Sequence, residues 1–207
     1  SAAAADVRDE AQVADVIARC RDAYGRIDIL HNNVGASLAL GDAPATELTL
    51  EAFRGIVDVN LIGMWLACKH ALPVMREQGS GSIVNISSMA VREGYPYVGY
   101  KTTKAGVVAL TENLAYANAQ HGIRANCVLP GVTDTRVNRP FMDDPALRAE
   151  MLGAIPMRRI GGPDEVAAVW PDAQELERTR TLAGIAAALG LGLLFATIAG
   201  RLSVRVA

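Results

Sequence analysis

The sequence predicts an α/β fold with a parallel sheet. Two observations carry that prediction: helical and strand patterns alternate through the first two thirds of the chain, and polar clusters recur at strand carboxyl ends. A third is the length of 207 residues without any linker-like stretch, which sets one globular domain as the expectation.

Residues 2 to 7 read as the end of a strand. An amphipathic helix follows from about Asp9 to Tyr24, with Val13, Ile17 and Cys20 at helical spacing, and Gly25 stops it. "RIDILHNNVG" is a short buried strand ending in a polar, glycine-terminated turn. Thr49, flanked by Glu47 and Glu51, starts a long helix to about Glu77, with Pro73 near its last turns, where a kink is tolerable. "GSGSIVNISS" gives a turn and a buried strand whose carboxyl end carries Asn85, Ser87 and Ser88. A third long helix covers about Tyr100 to Gln120 and ends near Gly122; "IRANCVLPG" is a further strand with a glycine turn at its tip. The carboxyl edge of such a sheet is where ligands bind.

Composition excludes several functions. The net charge of -2 comes from mixed signs without a basic stripe, so nucleic acid is not an expected partner. Cys20, Cys68 and Cys127 lie far apart among apolar neighbours, as buried thiols of a reducing compartment do, and the expected location is the cytoplasm. His31, His70 and His121 are equally scattered, so no metal site is expected.

"YVGYKTTK", residues 97 to 104, contains two overlapping Tyr-x-x-x-Lys pairs, Tyr97 with Lys101 and Tyr100 with Lys104. Four residues apart, phenol and ammonium share a helix face, and the cation stabilises the phenolate. A solvated helix face has the same spacing, so the pairs alone do not decide.

The wider pattern resembles the short-chain dehydrogenase/reductase family over residues 6 to about 168. The matching elements are Asp6-Val7, Asn32-Asn33-Val34-Gly35, Asn60 in "DVNLIG", "SIVNISS", Tyr100-x-x-x-Lys104, Pro130-Gly131 with Thr135, and "GGPDEVA" at 161 to 167. In that family the catalytic serine lies about a dozen residues before the tyrosine, and small residues follow the lysine. Ser88 precedes Tyr100 by twelve positions and Ala105-Gly106 follow Lys104, so the resemblance selects Tyr100 and Lys104, with Ser87 as the competitor of Ser88. Tyr97 is then a loop residue near the substrate mouth, or plain packing.

The resemblance implies a Rossmann-like doubly wound parallel sheet and hydride transfer between NAD or NADP and a small or medium hydroxyl or keto substrate; a 3-oxoacyl thioester, a sugar and a steroid-like alcohol all stand as candidates. Tyr100 would be the general acid in reduction and base in oxidation, its pKa lowered by Lys104, which would also reach the nicotinamide ribose. Ser88 would bond the substrate oxygen. Asn60, otherwise a solvated helix residue, would hold a water joining the lysine to solvent. Asp6 with Val7 would hold the adenine edge, and Asn32 with Gly35 the adenosine side, while Asn33 would pin neighbouring strands. Pro130, Gly131, Val132 and Thr135 would receive the carboxamide and phosphate side of the nicotinamide. Residues 136 to 160 correspond to a variable substrate lid. The two long helices imply a homodimer or homotetramer.

The chain departs from the family twice. It has no Thr-Gly-x-x-x-Gly-x-Gly turn, which would supply the N-H groups that hold the pyrophosphate. The sheet is therefore expected to lack its first strands; with the family order 3-2-1-4-5-6-7, the strand ending at Asn33 becomes an exposed edge, and the chain is expected to be marginal alone. The second departure separates a domain at 1 to 168 from an atypical tail at 169 to 207. Within the tail, 182 to 200 has no charged residue and reads as an apolar helix, either spanning a membrane or covering an open core; a fusion or frame accident is a third reading. The rival to the enzyme is a non-catalytic remnant acting as an interaction or membrane-anchored module.

Overall fold

A computed structural model describes residues 2–168, 184–188 and 193–197. In chain order the elements are β1 (Ala2–Ala3), α1 (Glu10–Tyr24), β2 (Ile29–Asn32), α2 (Leu50–Val57), α3 (Gly63–Gln78), β3 (Gly81–Ile86), α4 (Val98–Asn118), β4 (Ile123–Val128), α5 (Arg139–Met142), α6 (Pro145–Ala154), α7 (Pro163–Ala168), β5 (Gly184–Ala188) and β6 (Leu193–Thr197). The fold is α/β and Rossmann-like, with β2, β3 and β4 in parallel register.

Local chemistry sets the boundaries. The Asp9 carboxylate accepts from Ala11 N and Gln12 N at the start of α1, and Gly25 ends that helix in the left-handed region at φ 73°. Thr49 caps α2 through Ala52 N. The predicted single helix after Thr49 is continuous but contains a π turn, Asp58–Ile62, between α2 and α3. That turn carries Asn60 into the interior. Helix α1 packs on α3, α3 on β2 and β3, and α4 on β4. Their apolar faces meet in a core that includes Val13, Ile17, Leu30, Cys68, Met75, Ile83 and Leu114.

Two expectations are corrected. The outer edge of β2 is not bare: it pairs in parallel with β5, Ile29 opposite Gly184 and Asn32 opposite Ala187, and β6 joins β5 to β1 in antiparallel register. The sheet order is β1-β6-β5-β2-β3-β4. The apolar helix over 182 to 200 is replaced, where the segment is described, by the two strands β5 and β6. A short apolar run interrupted by glycine fits strand as well as helix, and the backbone edge of β2 supplies hydrogen-bond partners only to a strand. The remainder of that segment lies outside the described residues. Among the described residues no helix is long and apolar enough to cross a membrane. The terminal strand read over residues 2 to 7 is short, only Ala2–Ala3 being paired.

Candidate functional site

The carboxyl ends of β3 and β4 and the first turns of α4 bring Ser88, Tyr100 and Lys104 together. Ser88 follows β3 in extended backbone, its Oγ accepting from Ala90 N at 3.2 Å. Tyr100 lies in the first turn of α4, and the Ser88 hydroxyl is near enough to its phenol to influence its titration. Lys104, one turn further, is 2% exposed and donates from Nζ to Ile86 O at 2.8 Å. Its Nζ stands 5.7 Å from the centre of the Tyr100 ring.

The electrostatics differ from the simple expectation that Lys104 lowers the Tyr100 pKa. Burial raises the phenol above its ordinary value, and the Ser88 hydroxyl opposes that rise. Burial also pushes the Lys104 ammonium down to about 8, with Cys127 acting weakly the other way. A lysine in this state loses its charge in mildly alkaline solution.

Ser87 and Ser88 separate cleanly. The Ser87 Oγ donates to Lys104 O at 2.7 Å and is 2% exposed, tying β3 to α4. Ser88 alone of the two meets the phenol. Of the competing tyrosine–lysine pair, Lys101 donates to Glu93 O on the surface, and Tyr97 packs edge-on to Tyr95 with centroids 5.5 Å apart.

Asn60 is fully buried rather than on a solvated face. Its Oδ1 accepts from Ala36 N at 2.7 Å, while Nδ2 donates to Ala36 O at 2.8 Å and to Thr103 Oγ1 at 3.0 Å. It thereby clips the loop after β2 to the π turn and to α4. In that loop a Cβ on Gly35 would stand 3.0 Å from Lys104 Nζ, so the backbone there approaches the lysine closely.

The residues expected at the adenosine side are placed differently from one another. Asn32 is 1% exposed, and its Nδ2 donates to Asn85 Oδ1 at 2.9 Å and to Cys68 Sγ at 3.3 Å. The strand-pinning amide expected of Asn33 is therefore that of Asn32. Asn85 extends the chain of bonds to Thr111 Oγ1 at 3.0 Å. The Asp6 carboxylate is gripped by the Arg8 guanidinium, which holds it below the usual carboxylate range, and Val7 is buried against Gly63. Pro130 O accepts from Met89 N at 2.9 Å, Val132 O from Gly161 N at 3.0 Å, and Thr135 O from Asn138 N at 3.0 Å, which anchors the turn after β4. A Cβ on Gly131 would meet nothing within 4 Å, so this turn borders open space.

Sequence reasoning missed Asp42, Ser37 and Thr103. Asp42 is a buried carboxylate on the loop after β2; it accepts from Gly99 N and Tyr100 N, each at 2.8 Å. Its only sequence signal is an aspartate after Gly41, which any turn displays. Among the described residues no group of His, Cys, Asp and Glu is placed to hold a metal.

These elements define an α/β domain with a serine, a tyrosine and a lysine converging at the carboxyl ends of parallel strands. The family model described as Enoyl-(Acyl carrier protein) reductase matches residues 1–170. A 2-(R)-hydroxypropyl-CoM dehydrogenase from Xanthobacter autotrophicus is 39% identical over 167 residues, 79% of this chain and 66% of that protein. A 3-oxoacyl-[acyl-carrier-protein] reductase from Thermotoga maritima is 35% identical over 165 residues, 79% of this chain and 65% of that protein. The crystal structure of a gluconate 5-dehydrogenase from Burkholderia cenocepacia, in complex with NADP and tartrate, superposes with a TM-score of 0.75 at 31% identity, covering 80% of this chain and 64% of that one. The chain thus spans a little under two thirds of the length of these relatives. It belongs to the short-chain dehydrogenase/reductase family.

Proposed function

We propose that the chain carries the substrate-side half of an NAD(P)-dependent oxidoreductase site that interconverts a hydroxyl and a carbonyl group. The observation that carries this reading is the convergence of Ser88, Tyr100 and a buried Lys104 at one strand end. Similarity to dehydrogenases and reductases, and to a structure in complex with NADP, supports it.

The residues present fit the nicotinamide end of such a cofactor. Gly35 and Gly131 leave room, the one against Lys104 and the other toward open space, and the Lys104 ammonium is a donor suited to ribose hydroxyls. Asp6, Val7 and, through its backbone only, Asn32 would lie along the adenosine side, and Pro130, Gly131, Val132 and Thr135 along the carboxamide side. When bound, the nicotinamide supplies or accepts the hydride. In reduction the Tyr100 phenol gives its proton to the substrate oxygen as that oxygen gains charge, while the Ser88 hydroxyl donates a hydrogen bond to the same atom. While charged, Lys104 stands 5.7 Å from the centre of the ring that bears the phenolate left behind, and Asn60 holds the lysine's surroundings in place through Ala36 and Thr103. Oxidation runs the same protons in reverse. The substrate is a small or medium hydroxyl or keto compound. Exposed Trp65 and Tyr116, on α3 and α4, support pairing of two chains through these helices.

The test is reduction of a panel of ketones and 3-oxoacyl thioesters with NADH and NADPH, alongside cofactor binding followed by fluorescence. Turnover that falls about a thousandfold or more in Tyr100→Phe, with cofactor binding retained, is the expected result. Absence of both binding and turnover would favour the non-catalytic remnant.

A further inference from the structure

We propose that Asp42 is a positioning residue for Tyr100, its carboxylate anchoring the first turn of the catalytic helix to the loop that follows β2; this rests on the oxidoreductase reading above. Helix α4 begins at Val98 with Tyr97 as its cap, and the Tyr97 side chain makes no capping bond. The first N-H groups of a helix need acceptors, and a buried helix start without them is costly. Asp42, 57 and 58 residues away in sequence, supplies both: Gly99 N donates to Oδ1 and Tyr100 N to Oδ2, each at 2.8 Å. A carboxylate at a helix N-terminus also opposes the positive end of the dipole.

The anchor is built rather than incidental. Asp42 is 5% exposed, and its remaining acceptor capacity is taken by Ser37 Oγ at 2.9 Å and by its neighbour Ala43 N at 3.1 Å. Ala43 O in turn accepts from Val98 N at 3.2 Å, so loop and helix are joined at three successive amides. Gly99 is glycine for the same reason: a Cβ there would stand 2.9 Å from Asp42 Oδ1 and 2.7 Å from Ile56 Cδ1. The other end of the loop is clipped by Asn60 through Ala36. The phenol of Tyr100 and the Gly35 wall beside Lys104 are therefore held by one rigid loop. Tyr95, its ring tilted 44° to that of Tyr100 with centroids 5.6 Å apart, borders the same cluster.

The experiment compares Asp42→Asn, which keeps the size and removes one acceptor oxygen, with the parent protein. Misplacing the phenol by a fraction of an ångström is expected to lower kcat about 10- to 100-fold with the substrate KM changed less than about threefold. A second readout needs no turnover: the ultraviolet tyrosinate titration of each protein minus that of its Tyr100→Phe counterpart isolates the Tyr100 phenol. Tyr95 and Lys104, the titratable groups beside it, and Tyr97 on the far side of Tyr95 remain in every variant. Its midpoint is expected to move in Asp42→Asn, because displacing the first turn changes the burial of the phenol and its approach to Ser88, the two influences on its titration. An unmoved midpoint with kcat within about twofold of the parent overturns the inference. If Asp42→Asn does not fold, Gly99→Ala displaces the carboxylate from the opposite side; the same kcat loss is expected, and parental kcat there overturns the inference equally. A parent protein without turnover refutes the oxidoreductase reading instead, and the tyrosinate shift still decides the role of Asp42.

Discussion

Lys104 Nζ stands 5.7 Å from the centre of the Tyr100 ring while donating to the carbonyl oxygen of Ile86. The ammonium is thus fixed by β3 beside the Tyr100 ring, at the expense of its own hydration. That expense has a measurable sign.

Burial lowers the Lys104 pKa from 10.5 to about 8, so between those values the unfolded chain binds more protons than the folded one. Stability from this group therefore rises as pH climbs from about 8 to 10.5, and the penalty is full below 8. The span is worth about 3 kcal/mol. Urea unfolding of the parent and of Lys104→Met across pH 7 to 10.5 should show the parent gaining relative to the variant. A flat difference would mean that Lys104 keeps its ordinary pKa.

The two serines at the end of β3 should separate by assay. Ser88→Ala removes the hydroxyl that meets the Tyr100 phenol and is expected to cut kcat about 100-fold or more while leaving the thermal midpoint within about 2 °C. Ser87→Ala leaves Lys104 O without its 2.7 Å donor and is expected to cost about 1–2 kcal/mol of stability, with the smaller loss of activity. Reversal of this pattern would assign the substrate oxygen to Ser87.

Asn85 is the middle of a buried chain from Cys68 through Asn32 to Thr111. Asn85→Ala leaves the Asn32 amide and the Thr111 hydroxyl without these bonds in the interior and is expected to destabilise by about 2–4 kcal/mol. Denaturant unfolding checks it. A loss below about 1 kcal/mol would show that the interior rearranges to satisfy both groups.

Much of this arrangement was legible in the chain, and the parts that were not share a cause. Asp9, Gly25 and Thr49 marked helix ends because caps are local chemistry, and the Ser88, Tyr100 and Lys104 cluster was readable because two of its members share one helix. Asn32 and Asn33 were exchanged because adjacent strand residues face opposite sides, and only the register decides which side is core. Asn60 was singled out only through the family resemblance, because nothing in "DVNLIG" announces a π turn that carries it into the interior. Asp42 escaped because its partners lie 57 and 58 residues away. The strands at 184–188 and 193–197 read as helix because short apolar runs rich in alanine and glycine carry no period that separates the two states.

Two glycines on the long helical stretch make opposite predictions from the same substitution. A Cβ on Gly55, inside α2, would meet nothing within 4 Å, so Gly55→Ala removes backbone freedom from the unfolded chain and is expected to stabilise by roughly 0.5–1 kcal/mol. A Cβ on Gly63, at the start of α3, would stand 2.9 Å from Val7 Cβ and 3.1 Å from Val7 O. The carbonyl belongs to backbone and cannot rotate away, so overpacking of about 1–3 kcal/mol outweighs the helix gain, and Gly63→Ala is expected to destabilise. Thermal unfolding of the pair should move in opposite directions. If both rise, the segment carrying Val7 yields to α3, and the close packing there is not what fixes residues 5 to 7 against the helix.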